Sequence, residues 1–236
     1  LDNAECGLDT DGDQDADTGF FDPRVTDVDV GLNEVYVCTF SNVMEATLTL
    51  EKTVINDNGG TLIETDFQAK IDGGDVDWDT AYTYYPPFDS SKVLVASEVE
   101  QAGYTASVWG GDCADNGSVT LLPGDNKTCT ITNDDQQAYI TVVKEVINDN
   151  GGSAAPDDFN LTLAGNPVVS GVANPVDPGT YFSDETLLSG YTFEGYTSDC
   201  ATDGNTTVAL GESKTCTLTN DDQQAYITVV KEVIND

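Results

Sequence analysis

Three residues recur in the sequence in an order that invites chemistry. Lys144 follows Ala138-Tyr-Ile-Thr-Val-Val143, a stretch in which strict alternation puts the lysine on the same face as Ile140, Val142 and Val146. Lys52 stands likewise on the face of Leu48, Leu50 and Val54. Later in the chain, Asn133 shares a face with Cys129 and Ile131, and Asn220 shares one with Cys216 and Leu218. A glutamate precedes each asparagine by 35 residues, Glu98 for Asn133 and Glu185 for Asn220. An ammonium placed among core-facing residues must find a partner, because burying it unpaired is costly. A buried, hydrogen-bonded Lys–Glu pair beside an amide is the simplest arrangement that answers this, and such a pair adds little net stability.

Cysteine and aspartate supply two further chemistries. Cys113 to Cys129 and Cys200 to Cys216 are each 16 residues, and Cys6 to Cys38 is 32. The second member always opens one phrase: Cys38-Thr-Phe-Ser-Asn42, Cys129-Thr-Ile-Thr-Asn133, Cys216-Thr-Leu-Thr-Asn220. One pair per repeat implies three disulfides and an oxidising, extracellular setting. The longer first interval holds Asp9, Asp11, Asp13, Asp15 and Asp17, whose alternate carboxylates can gather round a hard cation such as Ca²⁺. The spacing is not that of an EF-hand, since Phe20 stands at the twelfth position. Asp134, Asp135, Asp221 and Asp222, each pair near Asp57 or Asp149 of a turn, offer a second class of ion site.

The elements that must position these residues are strands. The run Gln136 to Asp149 returns word for word at Gln223 to Asp236, and a looser copy spans Ala46 to Asp57. Such a repeat fixes the architecture before finer reading. Lys52 to Lys144 is 92 residues and Lys144 to Lys231 is 87, so the unit is about 90 residues, a common size for a β-sandwich. Short alternating runs between Asn-Asp-Asn-Gly-Gly turns predict an all-β protein of tandem antiparallel sandwiches. The expected divisions are residues 1–42, the C-terminal part of an upstream module; 45–135 and 138–222, complete modules; and 225–236, the first strand of another. Very short linkers, Asp134 to Gln137 and Asp221 to Gln224, favour a stiff rod.

With these residues in place, the sequence resembles a known family. Glu98-Val-Glu-Gln-Ala-Gly103-Tyr104 and Glu185-Thr-Leu-Leu-Ser-Gly190-Tyr191 are similar to the Glu…Gly-Tyr motif of CnaB-type, prealbumin-like (SpaA-like) domains of bacterial surface proteins and pilins. The proline usual before Gly-Tyr is absent, and the disulfide is unusual for that family. The resemblance implies a spontaneous isopeptide bond between first and last strands, within the triads Lys52–Glu98–Asn133 and Lys144–Glu185–Asn220. Asn42 and Lys231 would then pair with residues outside this window, or the last strand of one copy would enter the first half-module of the next. Desolvation favours a neutral amine beside a protonated acid, which suits the chemistry.

Composition narrows the function. The chain has 236 residues, 8 basic and 43 acidic, and a formal charge of −35, which excludes a phosphate-binding surface and hence nucleic acid. With no histidine, imidazole-ligated metal catalysis is excluded and a hydrolase has little to work with. No membrane-spanning run or signal peptide is legible. The chain begins at Leu1 and stops within a repeated motif, which reads as a processed product or a window on a longer chain. The expectation is a non-enzymatic structural repeat forming an extracellular stalk, fibre or pilus-like filament, with further copies of the module or chain as partners. The competing expectation is an adhesin that meets a glycan or protein of a host or cell surface, with Trp78, Tyr82, Tyr84 and Tyr85 as a contact patch; core packing also accounts for most of these aromatics.

Overall fold

A computed structural model describes residues 3–11, 18–21, 31, 34–41, 44–85 and 91–234. Among them the chain is almost entirely strand and turn. The helical segments are single 3₁₀ turns at Glu64–Asp66 and Pro156–Asp158.

The N-terminal strands are β1 (Asn3–Asp9), β2 (Thr18–Phe21) and β3 (Val35–Ser41). They form an antiparallel sheet in the order β2-β1-β3, with Cys6 directly opposite Cys38 and disulfide-bonded to it.

Next come β4 (Ala46–Ile55), β5 (Ala69–Ile71), β6 (Gly74–Val76), β7 (Tyr82–Tyr84), β8 (Lys92–Glu98), β9 (Tyr104–Ala106), β10 (Gly110–Gly111), β11 (Ser118–Leu121) and β12 (Asn126–Asp135). One sheet runs β10-β12-β4-β7, with β9 also on β12, and the other runs β11-β8-β5-β6. The same plan is then repeated with β13 (Ala138–Ile147), β14 (Leu161–Leu163), β15 (Asn166–Val168), β16 (Ala173–Val176), β17 (Gly179–Glu185), β18 (Tyr191–Ser198), β19 (Asn205–Val208) and β20 (Ser213–Asp222). Its sheets run β16-β13-β20-β18 and β15-β14-β17-β19. The fold is therefore all-β, with tandem sandwich repeats, as the turn-punctuated alternation predicts.

Alternation decides which face is buried. Along β4, Ala46, Leu48 and Leu50 are fully buried while Glu51 and Thr53 are exposed; along β13, Ala138, Ile140 and Val142 are fully buried. The second core adds Phe159, Leu161, Leu163, Val208 and Leu218 from the facing strands. Each such aliphatic side chain contributes about 1.5–3 kcal/mol on burial. Disulfides Cys113–Cys129 and Cys200–Cys216 close loops of 16 residues, each restricting the unfolded chain by about 3 kcal/mol.

By backbone proximity, residues 1–53, 67–99 and 108–131 form one compact unit, and residues 54–66, 100–107 and 132–236 form another. Among the described residues, no helix is long and apolar enough to cross a membrane.

Candidate functional site

In the second repeat, β13 and β20 lie side by side in parallel, with Val142 opposite Cys216, Lys144 opposite Leu218 and Val146 opposite Asn220. A parallel pair needs a crossover, and here the crossover is the rest of the sandwich. Lys144 and Asn220 therefore point into one core from neighbouring strands, and both are buried. Glu185 ends β17 in the facing sheet, and its side chain is 3% exposed. Lys144 Nζ donates to Asn220 Oδ1 at 2.5 Å and lies 2.8 Å from Glu185 Oε2. It also sits 4.5 Å from the centre of the Phe159 ring, so an apolar wall closes the site. Burial pulls the Lys144 amine below its ordinary pKa, and the hydrogen bond and charge of Glu185 oppose that pull. Neither Glu185 Oε1 nor Asn220 Nδ2 has a hydrogen-bond partner among the described residues.

The first repeat places the corresponding groups in the same elements. Lys52 on β4 donates to Glu98 Oε2 at the end of β8, and both side chains are almost wholly buried. The ammonium lies over Phe67 at 4.2 Å and Trp78 at 5.3 Å. Burial again lowers the lysine pKa, against the raising effect of Glu98. Asn133 is 2% exposed on β12, the strand next to β4, and its Oδ1 has no hydrogen-bond partner among the described residues. The sequence thus finds the inward lysines, asparagines and their acids; lysine, acid and amide meet by direct contact in the second repeat, lysine and acid in the first.

Two further inward groups lie on the same alternation and were assigned by sequence only to an ion. Asp135 and Asp222, two residues beyond the asparagines, are buried. Asp135 accepts N–H bonds from Asp57 at 3.0 Å, Asn58 at 3.0 Å and Gly60 at 2.6 Å. Asp222 accepts from Asp149 at 3.0 Å, Asn150 at 2.9 Å and Gly152. Burial pushes both carboxyls up, but these donors outweigh it and hold them below the usual carboxylate range. Gly60 and Gly152 are required here, since a Cβ would meet Asp135 Oδ2 or Asp222 Oδ2 at 2.7 Å. The motif tyrosines clamp the same turns: Tyr104 Oη donates to Asn56 Oδ1 at 2.5 Å and accepts from Leu62 N, and Tyr191 does the same with Asn148 and Ala154 N.

Carboxylate oxygens of Asp57, Asp134 and Asp135, and of Asp149, Asp221 and Asp222, lie within 4.8 Å of one another in each set, so both clusters could hold a metal ion. Asp9 ends β1 and Asp11 follows it; Asp13, Asp15 and Asp17, like Asn42, lie outside the described residues. Lys231 is in the described C-terminal segment, outside any sheet. Trp78 is core: it is 9% exposed, donates Nε1–H to Phe67 O at 2.6 Å, and stacks on Trp109. Tyr82 and Tyr84 are half-buried, leaving Tyr85 as the exposed member of that group.

Residues 44–131 and 135–218 match the family model SpaA_2, prealbumin-like fold domain. No match was found among curated proteins. Among solved structures, the chain is similar to the Bacillus anthracis TIE protein at 12% identity, covering 80% of this chain but only 37% of that one, with a TM-score of 0.38. It is similar to the major pilin protein (T-13) from Streptococcus pyogenes at 12% identity, covering 76% and 97% of the two chains, with a TM-score of 0.32. It is also similar to the shaft pilin spaA from Lactobacillus rhamnosus GG at 14% identity, covering 79% and 100%, with a TM-score of 0.24.

Proposed function

Because the chain belongs to the prealbumin-like fold domain family, we propose that it is a non-enzymatic structural repeat protein of an extracellular stalk, fibre or pilus-like filament, with modules at 45–135 and 138–222 each tied by one isopeptide bond. The observation that carries this is the buried contact of Lys144 Nζ with Asn220 Oδ1 on the parallel neighbouring strand and with Glu185 Oε2 from the facing sheet. In its neutral form, which burial favours, the amine attacks Asn220 Cγ. The new N–C bond replaces the bond from Cγ to Nδ2, and ammonia leaves with the proton shed by the amine. Glu185, whose Oε2 lies 2.8 Å from the amine, carries that proton. The packed core supplies orientation, so the reaction needs no cofactor and occurs once.

Mechanics follow from topology. A load entering at the start of β13 and leaving at the end of β20 shears all nine registered residue pairs together. A covalent tie from Lys144 to Asn220 would shield the 75 residues between them from that load. The three disulfides fit the same oxidising location. Calcium in the acidic segment Asp9–Asp17 belongs to this reading, as a rigidifying ion for the first sheet.

Intact mass after reduction of the disulfides tests the bonds: each removes one ammonia, so the chain should be about 17 Da light per bond and about 34 Da for two. Immunogold labelling of intact cells tests the location. Thin labelled fibres or stalks are expected; label confined to the cell interior would overturn the proposal.

A further inference from the structure

The peptide between the two sandwich repeats is hydrogen-bonded on both sides. Gln136 N–H donates to Gly103 O at 2.8 Å, and Gln136 O accepts from Gly211 N at 2.9 Å. Gly103 belongs to the Gly-Tyr motif of the first repeat, and Gly211 stands in the turn between β19 and β20 of the second. Gln137 Nε2 donates to Ala138 O at 3.1 Å and to Val176 O at 2.8 Å, which holds the next residue on the second sandwich. A free tether would leave its backbone groups to water; here they join one repeat to the other.

Turn residues close on each other beside this peptide. Gly59, in the turn after β4, lies against the turn between β16 and β17: a Cβ there would meet Pro178 Cδ at 2.8 Å and Asp177 Cβ at 2.9 Å. A Cβ at Gly103 would collide with Leu210 Cβ in the turn between β19 and β20. The two glycines have φ of 85° and 80°, so each position requires glycine both for its backbone and for the close approach. Pro178 and Leu210 are half-buried. The compact unit that contains the second repeat also takes in residues 54–66 and 100–107, the segments that carry Gly59 and Gly103. Packing thus divides the chain inside the first repeat and not at the linker.

We propose that Gly59 and Gly103 of the first repeat and Pro178 and Leu210 of the second form a docking seam that makes the two sandwiches fold and unfold as a coupled pair. The seam goes beyond the filament reading and does not rest on the crosslinks. Its chemistry is that of two small apolar turns received by two glycines, with Gln136 bonded to both sides. Residues in contact are energetically coupled, so whatever opens one sandwich strips contacts from the other. Modules joined by a linker alone would lack this dependence.

The chain's two tryptophans make the coupling measurable, since Trp78 and Trp109 are both buried in the first sandwich. Thermal unfolding of the 236-residue chain followed by tryptophan fluorescence therefore reports the first sandwich. Leu210→Ala and Pro178→Gly alter only the second repeat, yet each should lower that midpoint by about 4–8 °C. Inserting a pair of glycines between Gln136 and Gln137 should lower it as well. Val172→Ala, at an exposed position of the second repeat outside the seam, should leave it in place. In hydrogen exchange, the amides of Gln136 and Gly211 should be protected in the parent and fast in Leu210→Ala. A tryptophan midpoint that ignores the seam variants, or that Val172→Ala moves as far, overturns the coupling; so does fast exchange at both amides in the parent. These changes leave every lysine, glutamate and asparagine of the triads in place, so intact mass still tests the crosslinks separately.

Discussion

Lys144 shows how a costly residue becomes a tolerated one. Its ammonium meets an acid, an amide and an aromatic face, and no water reaches the side chain. Removing one partner of such a buried pair costs about 3–5 kcal/mol, because the other charge stays buried alone. Glu185→Gln should therefore both block the 17 Da loss expected from the chemistry, about one ammonia, and weaken the fold by that amount. Asn220→Ala is the more informative change, since it removes the acceptor carbon and leaves the Lys–Glu pair intact. In that variant Lys144 remains an amine with a folded pKa below its unfolded value of about 10.4. Between those two values the unfolded chain holds a proton that the folded chain has shed, so stability rises with pH across the window. Below the folded pKa both states are protonated and the slope vanishes. The parent, whose lysine nitrogen would be an amide, should lack this contribution. Urea midpoints of parent and variant from neutral pH to the ordinary lysine range measure it, and equal slopes would count against the bond.

At the scale of the strand and turn, Asp135 and Asp222 explain why each first strand ends where it does. Each carboxylate gathers the N–H groups of one Asn-Asp-Asn-Gly-Gly turn and so ties the end of the last strand to the turn after the first. Asp135→Ala leaves those donors without their acceptor and should destabilise the first sandwich by about 1–3 kcal/mol. The folded pKa of Asp135 is depressed, so its contribution is complete above the unfolded value of about 3.9 and is lost as pH falls through the folded one. The variant should accordingly show a shallower acid limb than the parent, read from unfolding midpoints below pH of about 4. Much of this was legible in the sequence. Period-two alternation placed Lys52, Lys144, Asn133 and Asn220 inward, and the cysteine spacing gave all three disulfides. Continued by two residues, the same alternation would have set Asp135 and Asp222 inward, but paired acids at a linker read more readily as solvated or ion-binding. Tyr104 and Tyr191 as turn clamps were not legible, because their partners lie 48 and 43 residues away. Nor was the split of one strand into β9 and β10, where the second repeat keeps β18 whole across a bulge near Gly195. Trp109, buried against Trp78, sits in that split, and tertiary packing of this kind leaves no local periodicity to read.

Over the whole molecule the dominant quantity is charge. At −35, copies of this chain repel one another, and any end-to-end contact must form against that field. Salt weakens the repulsion without regard to ion type, since the screening length falls from about 30 Å at 0.01 M to about 8 Å at 0.15 M. A specific divalent site behaves differently, because it stabilises the folded state by mass action on top of screening. The clusters Asp57–Asp134–Asp135 and Asp149–Asp221–Asp222 stand at equivalent places in the two repeats, next to turns already organised by a carboxylate. Asp135 and Asp222 are largely occupied by backbone donors, whereas Asp221 Oδ1 is buried with no hydrogen-bond partner among the described residues, so Asp221 has the oxygen to spare. If the acidic groups hold calcium, thermal unfolding in CaCl₂ should occur at higher temperature than in NaCl of equal ionic strength, and a chelator should reverse the difference. Asp221→Asn should remove part of that difference while leaving the response to NaCl unchanged, and the remainder should track the Asp9–Asp17 segment through Asp11→Asn. Equal midpoints in the two salts would show that the carboxylates act only as a diffuse charge, and that the field of the whole molecule, rather than an ion, sets how these copies approach.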